Sequence, residues 1–239
     1  MQNIEQILEK YIVSGDLPCA LAGVANADGT LYMGAAGLRS LDDSQAMTTD
    51  TIFAIASMTK AITTVATLQL VEQGQIDLDT PITAYLPDLE HLKVLDGFDD
   101  DGKPMLSSPK TSPTTRQLLT HTSGYVYEIW NANGLQSVAS EQIDSLFAEG
   151  GNGMIAPLAF SPGERWEYGI GIDWAGVIVE TLSGKSLDVY FQEHIFAPLG
   201  MQDSFYKVPE EKAARRAAIH ARTEAGLAVT PHLGEPVSG

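Results

Sequence analysis

The sequence predicts a mixed α/β chain of the α+β class, an antiparallel sheet flanked by helices and joined to a mostly helical domain. Three stretches carry this reading. Residues 3–15 have the period of an amphipathic helix, with Ile4, Ile7, Leu8, Tyr11 and Ile12 on one stripe. Two β-like runs, 20–26 and 30–36, are joined across Ala27-Asp28-Gly29, and Asp-Gly between such runs is a hairpin signal. A long segment then opens on Ser57 and reads as a buried helix, stopped at Gly74. A helix, a hairpin and a second helix in that order favour a sheet with helices packed on it.

Element by element, Asn3 is placed to cap the first helix, with Gln6 at the capping-box position and Gly15 at the end. The segment from Ser57 has apolar residues at 58, 61, 62, 65, 66 and 70. From about residue 75 the pattern changes to short helices, turns and prolines with little strand character. The acidic turn from Asp96 to Gly102 lacks the alternating acids and closing glutamate of a calcium loop, so it reads as a solvated loop. Residues 114–119 read as a short helix running into Thr120-His121-Thr122-Ser123-Gly124-Tyr125. Residues 140–149 read as another, capped by Ser140, with Ile143, Leu146 and Phe147 on one face. Two more follow, at 172–183 (Trp174, Val177, Ile178 and Leu182, closed by Gly184) and at 187–197 (capped by Ser186, stopped at Pro198). A last β-like run covers 217–222, before a Gly/Pro-rich end. The domain reading is 1–75 for the first part of the sheet domain, 76–210 for a mostly helical domain, and 211–239 for a return toward the sheet.

At 239 residues the chain can bury a sizeable core. Its 14 basic and 31 acidic side chains give a net charge of −17, which argues against nucleic acid or an anionic membrane as partner. The single cysteine, Cys19, excludes an internal disulfide and fits a reducing compartment. No apolar run reaches membrane-spanning length, and no basic-then-apolar leader opens the chain, so a cytoplasmic location is expected. The five histidines show no metal spacing, and no metal or other cofactor is expected.

The chemistry centres on Ser57-Met58-Thr59-Lys60. If Ser57 opens a helix, Ser57 and Lys60 stand three apart on one face. The positive helix N-terminus and burial would both lower the pKa of Lys60, and a neutral lysine can serve as base to a serine. A second Ser-x-x-Lys, Ser107 to Lys110, lies in a Ser/Pro/Thr-rich stretch with no helical period, so nothing puts its side chains on one face. His121, at a helix end, can be a base or, as is commoner, the hydrogen-bond partner of its own turn. Tyr168, in the Gly-bounded turn Trp166-Glu167-Tyr168-Gly169-Ile170-Gly171 before a helix, can project its hydroxyl into a cleft.

Together, Ser57-x-x-Lys60, the phrase Gln117-Leu118-Leu119-Thr120-His121-Thr122-Ser123-Gly124, Tyr168 and Phe196-Ala197-Pro198-Leu199-Gly200-Met201 resemble the serine β-lactamase-like superfamily in order and rough spacing. That group holds class C β-lactamases, DD-peptidases, family VIII carboxylesterases and related acyltransferases. The resemblance covers nearly the whole chain. It implies a β-lactamase/transpeptidase-like fold with an active site between sheet and helical domains. It makes Ser57 the acyl-accepting nucleophile, Lys60 its base and Tyr168 the proton relay, with the Ser57 N–H as one oxyanion donor.

Three departures bear on the reading. Family β-lactamases and peptidases usually carry Asn two positions after the tyrosine, where this chain has Ile170, which leans toward esters. His232-Leu233-Gly234 has the letters of the family's third box but no strand pattern, and reads as chance. Family members also continue past the position of Gly239 to strands that supply the second oxyanion donor. The expectation is therefore half an oxyanion hole and a need for a complementing C-terminal fragment. The leading function is a serine carboxylesterase, or an acyltransferase, acting on small-molecule acyl esters. The alternatives are a β-lactamase or DD-peptidase, and a non-catalytic binder or sensor on the same scaffold. Oligomeric state is not legible.

Overall fold

The computed structural model describes residues 2–139, 144–146 and 153–230. Contacts divide the chain into two compact units, Met1–Ala56 with Phe205–Gly239, and Ser57–Ser204. Among the described residues no helix is long and apolar enough to cross a membrane.

The first unit begins with helix α1 (Gln2–Val13). It starts before Asn3, so Asn3 lies inside the helix rather than capping it. Strands β1 (Cys19–Asn26) and β2 (Gly29–Gly37) form the expected antiparallel hairpin, from the Cys19–Gly37 pair to the Asn26–Gly29 pair. The Asn26 side chain accepts the N–H groups of Asp28 and Gly29 at 2.9 and 3.1 Å and closes the turn. Late in the chain, β5 (His220–Thr223) pairs with β6 (Gly226–Val229). Only the first of these two strands is evident in the sequence, because β6 is four residues long and alternates around an alanine. Long-range bonds tie the unit together. Ile52 bridges Arg216 in parallel, and the Arg222 guanidinium donates to the Asp16 carbonyl at 2.7 Å.

The second unit begins within a 3₁₀ turn, Ala56–Met58, that leads directly into helix α2 (Thr59–Glu72). Its buried residues are Thr63, Ala66, Thr67 and Leu70, whereas Met58 and Val65 are exposed. Two threonines thus replace two apolar residues of the expected stripe. Their hydroxyls donate back to the carbonyls four residues earlier, Thr63 to Thr59 at 3.3 Å and Thr67 to Thr63 at 2.9 Å. That satisfies the polar atom inside the helix and lets the methyl pack in the core.

Helix α5 (Gly171–Ser183) packs on α2 and contributes Trp174, Ala175, Ile178 and Val179 to the core, with Leu70, Ile82, Leu118, Leu158 and Phe191. Gly184 ends α5 at φ 66°, as its sequence position predicts. Helix α3 (Thr115–Leu119) carries a capping box between Thr114 and Gln117. A hairpin of β3 (Val94–Phe98) and β4 (Pro104–Ser107) occupies a stretch where the sequence shows little strand pattern. The acidic turn between them folds on itself, Asp99 Oδ1 accepting the N–H groups of Asp101 and Lys103 at 3.1 and 2.8 Å. Helix α4 (Ala132–Ala139) precedes the predicted 140–149 helix, whose Ser140, Ile143 and Phe147 lie outside the described residues. Helix α6 (Leu187–Phe191) continues as a π-helical turn over Gln192–Phe196. Ser186 takes the N-cap position, but its hydroxyl bonds the Asp188 carboxylate at 2.5 Å. Glu180 accepts the open Leu187 N–H instead, at 2.7 Å.

Candidate active site

Ser57 and Lys60 both belong to the helical run that starts at Ala56, so they stand about one turn apart as the spacing predicts. Ala56, just before the serine, has φ 43°. A left-handed backbone at a residue with a Cβ costs about 1–2 kcal/mol, and such strain concentrates at functional sites. Ser57 is exposed, and among the described residues its hydroxyl makes no hydrogen bond.

The Lys60 side chain is 14 % exposed. Its Nζ donates to the Tyr127 hydroxyl at 2.9 Å and lies 3.7 Å from Asp173 Oδ2, in the first turn of α5. It also sits 5.3 Å from the ring centres of both Tyr127 and Tyr168. Burial lowers its pKa, but the Tyr127 hydrogen bond, and after it the Asp173 carboxylate, outweigh burial and hold the ammonium above the usual lysine value. This corrects the expectation of a depressed, neutral lysine, which took burial and the helix terminus into account without these partners. At Asp173 the balance runs the other way: burial pushes the carboxyl up against the pull of Lys60. Asp173 keeps 44 % of its side chain exposed, so solvent screens this pair and Tyr127 is the firmer hold on the lysine.

Tyr127 carries no sequence motif. Its signal, a tyrosine three residues past the Ser-Gly of 123–124, becomes readable only once the fold brings it to Lys60. Gly169 explains how Tyr168 arrives beside it. A Cβ at Gly169 would stand 2.2 Å from the Tyr125 carbonyl oxygen and 2.5 Å from the Val126 Cα, so only glycine lets the two backbones come so close. The rings of Tyr127 and Tyr168 then lie 5.6 Å apart. The Tyr127 hydroxyl is pushed up by burial, against the Lys60 hydrogen bond.

His121 adopts φ 56°, and its Nδ1 accepts the Gly169 N–H at 3.4 Å, while its ring packs 4.7 Å from that of Tyr168. It holds the tyrosine turn. Burial first, and the Lys60 charge second, lower its pKa and favour the neutral ring. Ile170 is 4 % exposed and part of the core. The Ser107/Lys110 pair is not assembled: Ser107 ends β4, and Lys110 pairs with Glu164 at 2.6 Å. His232-Leu233-Gly234 lies outside the described residues.

A serine at a helix start, a lysine one turn on and a tyrosine from a Gly-bounded turn can now be set against known proteins. The beta-lactamase family model matches residues 2–238. The chain belongs to the beta-lactamase family. Within this family it is 36 % identical over 223 residues to monacolin J acid methylbutanoyltransferase of Aspergillus terreus, an alignment covering 90 % of the chain and 54 % of that protein. It is also 36 % identical over 226 residues to the lovastatin esterase of Penicillium rubens, covering 89 % and 55 %. The unliganded simvastatin synthase of Aspergillus terreus superposes with a TM-score of 0.88 at 34 % identity, over 96 % of this chain and 61 % of that structure. The beta-lactamase/transpeptidase-like fold expected from the sequence is therefore the fold of the chain. It spans about half the length of the curated relatives it matches.

Proposed function

We propose that this chain carries the acylation centre of a serine carboxylesterase or acyltransferase. The observation that carries the reading is the Lys60 ammonium, one turn from Ser57, bonded to Tyr127 and flanked by the Tyr168 ring. The similarity to a methylbutanoyltransferase and to an esterase supports it. Ser57 Oγ attacks the ester carbonyl carbon, and the Ser57 N–H receives the developing oxyanion. The proton of Ser57 passes to the lysine–tyrosine group in the form that has lost one proton, written equally as amine with phenol or as ammonium with phenolate. The Tyr168 hydroxyl gives its own proton to the departing alkoxide and is reprotonated by the proton the lysine–tyrosine group has taken up. The acyl group stays on Ser57, and water or a second alcohol completes the cycle. The β-lactam reading is disfavoured by Ile170, which is buried and offers no amide to a substrate.

The test is hydrolysis of p-nitrophenyl butyrate by the chain supplied with a complementing C-terminal fragment, and by Ser57→Ala treated alike, with nitrocefin as contrast and intact mass on the same samples. Ester turnover lost in the variant, with a butyryl adduct on the parent, is the expected result. Nitrocefin turnover without ester turnover would overturn it. An adduct that forms without turnover would instead point to a sensor.

A further inference from the structure

Two tryptophans that the proposed chemistry does not use stand open to solvent beside it. Trp130 is 66 % and Trp166 65 % exposed. Neither is loose. The Trp130 ring meets Tyr127 edge-on at 5.3 Å and lies tilted against Tyr168 at 5.7 Å. Trp166 meets His121 edge-on at 6.2 Å, and His121 in turn lies 4.7 Å from Tyr168. The rings thus form one continuous aromatic surface whose inner end is the Lys60 ammonium, 5.3 Å from the two tyrosine centres. The backbone beneath is tied at the residues next to each indole. Asn131 Nδ2 donates to Glu167 Oε1 at 2.6 Å, and the Glu167 N–H donates to the His121 carbonyl at 3.0 Å. Arg165 donates to the other oxygen of the same carboxylate at 3.0 Å.

This arrangement selects a ligand chemistry. The polar side chains next to the indoles in sequence, Asn131 and Arg165, both bond the Glu167 carboxylate. The indole rings themselves present apolar surface to solvent, and a contiguous exposed apolar patch marks a place of binding. Rings already locked by neighbours supply contact area at little entropic cost. A cationic guest would meet the Lys60 ammonium at the inner end.

We propose that Trp130 and Trp166 are the specificity-determining residues of this site, a platform for an uncharged, ring-sized hydrocarbon group of the ester. This rests on the esterase or acyltransferase reading above. The group can belong to the acyl or the alcohol part, and the test separates the two.

Ethyl butyrate, cyclohexylmethyl butyrate and ethyl cyclohexylacetate are compared as substrates of the full chain and of Trp130→Ala and Trp166→Ala. The preference of kcat/KM for a ring-bearing ester over ethyl butyrate falls about ten-fold or more in each variant, mainly through KM, and the Trp→Phe variants recover part of it. The ring ester that loses its preference identifies the side. An equal fall for all three esters, or none, overturns the proposal. A second readout needs no turnover. Saturation-transfer NMR of cyclohexylmethanol with Ser57→Ala shows saturation of the ring protons, lost when both tryptophans are also changed to alanine. Saturation without any ester turnover would keep the platform and remove the enzymatic reading. No saturation, with the variants still folded by circular dichroism, would remove the platform.

Discussion

Lys60 Nζ donates to the hydroxyl of Tyr127 at 2.9 Å, while Tyr168 meets the same ammonium only through its ring face, 5.3 Å from its centre. Two tyrosines therefore share one lysine in different ways. Tyr127 holds the lysine in place, and no protein group engages the Tyr168 hydroxyl among the described residues, as the proposed proton relay requires.

Phenylalanine at each tyrosine separates these parts. A hydrogen bond to a charged group contributes about 1.5–3 kcal/mol, so Tyr127→Phe is expected to lower kcat about ten- to hundred-fold. Tyr168→Phe removes the proposed proton-transfer group and is expected to lower kcat by about 10²–10⁴. Steady-state kinetics on p-nitrophenyl butyrate decide it, and a larger loss at Tyr127 would reverse the two assignments.

Asp173→Asn probes the charge on Lys60. The carboxylate raises the lysine pKa, after the larger effects of burial, which lowers it, and of the Tyr127 bond, which raises it. In the proposed mechanism the reactive form has lost a proton, so activity is expected to rise toward alkaline pH. Removing the carboxylate eases that deprotonation, and the alkaline rise of kcat/KM should move to lower pH in the variant. Rates corrected for spontaneous ester hydrolysis measure it. A profile that stays put, or moves upward, would show that Asp173 does not govern the lysine.

How far the sequence foretold this site follows from what kind of signal each residue leaves. Ser57 and Lys60 lie three apart on one helix, so local periodicity places them together. Tyr168 sits between glycines at a helix start, and Gly184 and the Thr114/Gln117 box mark helix ends by backbone chemistry alone. Tyr127 and Asp173 leave no such mark, being 67 and 113 positions from Lys60, and the charge of the lysine depends on both. Burial and the helix dipole, the only influences visible in the sequence, gave a pKa shift of the wrong sign. Thr63 and Thr67 leave no mark among the apolar positions for a related reason: hydropathy alone does not show that a buried hydroxyl can bond the previous turn of its own helix.

His121 makes stability sensitive to acid. Its pKa is held below the ordinary 6.5 by burial and by the Lys60 charge, with Asp173 opposing. As pH falls through 6.5 the unfolded chain binds a proton that the folded chain resists, so stability is lost from there down to the folded-state value. Asparagine tolerates the left-handed backbone of position 121 and can still accept the Gly169 N–H. His121→Asn should therefore show a smaller drop in Tm between about pH 7 and about pH 5.5 than the parent chain. Equal drops would assign the acid sensitivity elsewhere.

Gly169→Ala tests whether close backbone approach is what assembles the two tyrosines. The new Cβ would lie 2.2 Å from the Tyr125 carbonyl oxygen and 2.6 Å from its carbon, both main-chain atoms that no rotamer change can move aside. The segment from 168 to 170 must then retreat from 125–127, parting Tyr168 from Tyr127 and stretching the His121–Gly169 bond. Overpacking of this kind costs about 1–3 kcal/mol, visible as a fall in thermal stability. Because Tyr168 moves with the segment, kcat should fall further than the loss of folded protein accounts for, as active-site titration against kcat would show. A variant that is destabilised yet keeps full kcat per folded molecule would mean that the Tyr127–Tyr168 spacing is not needed for turnover.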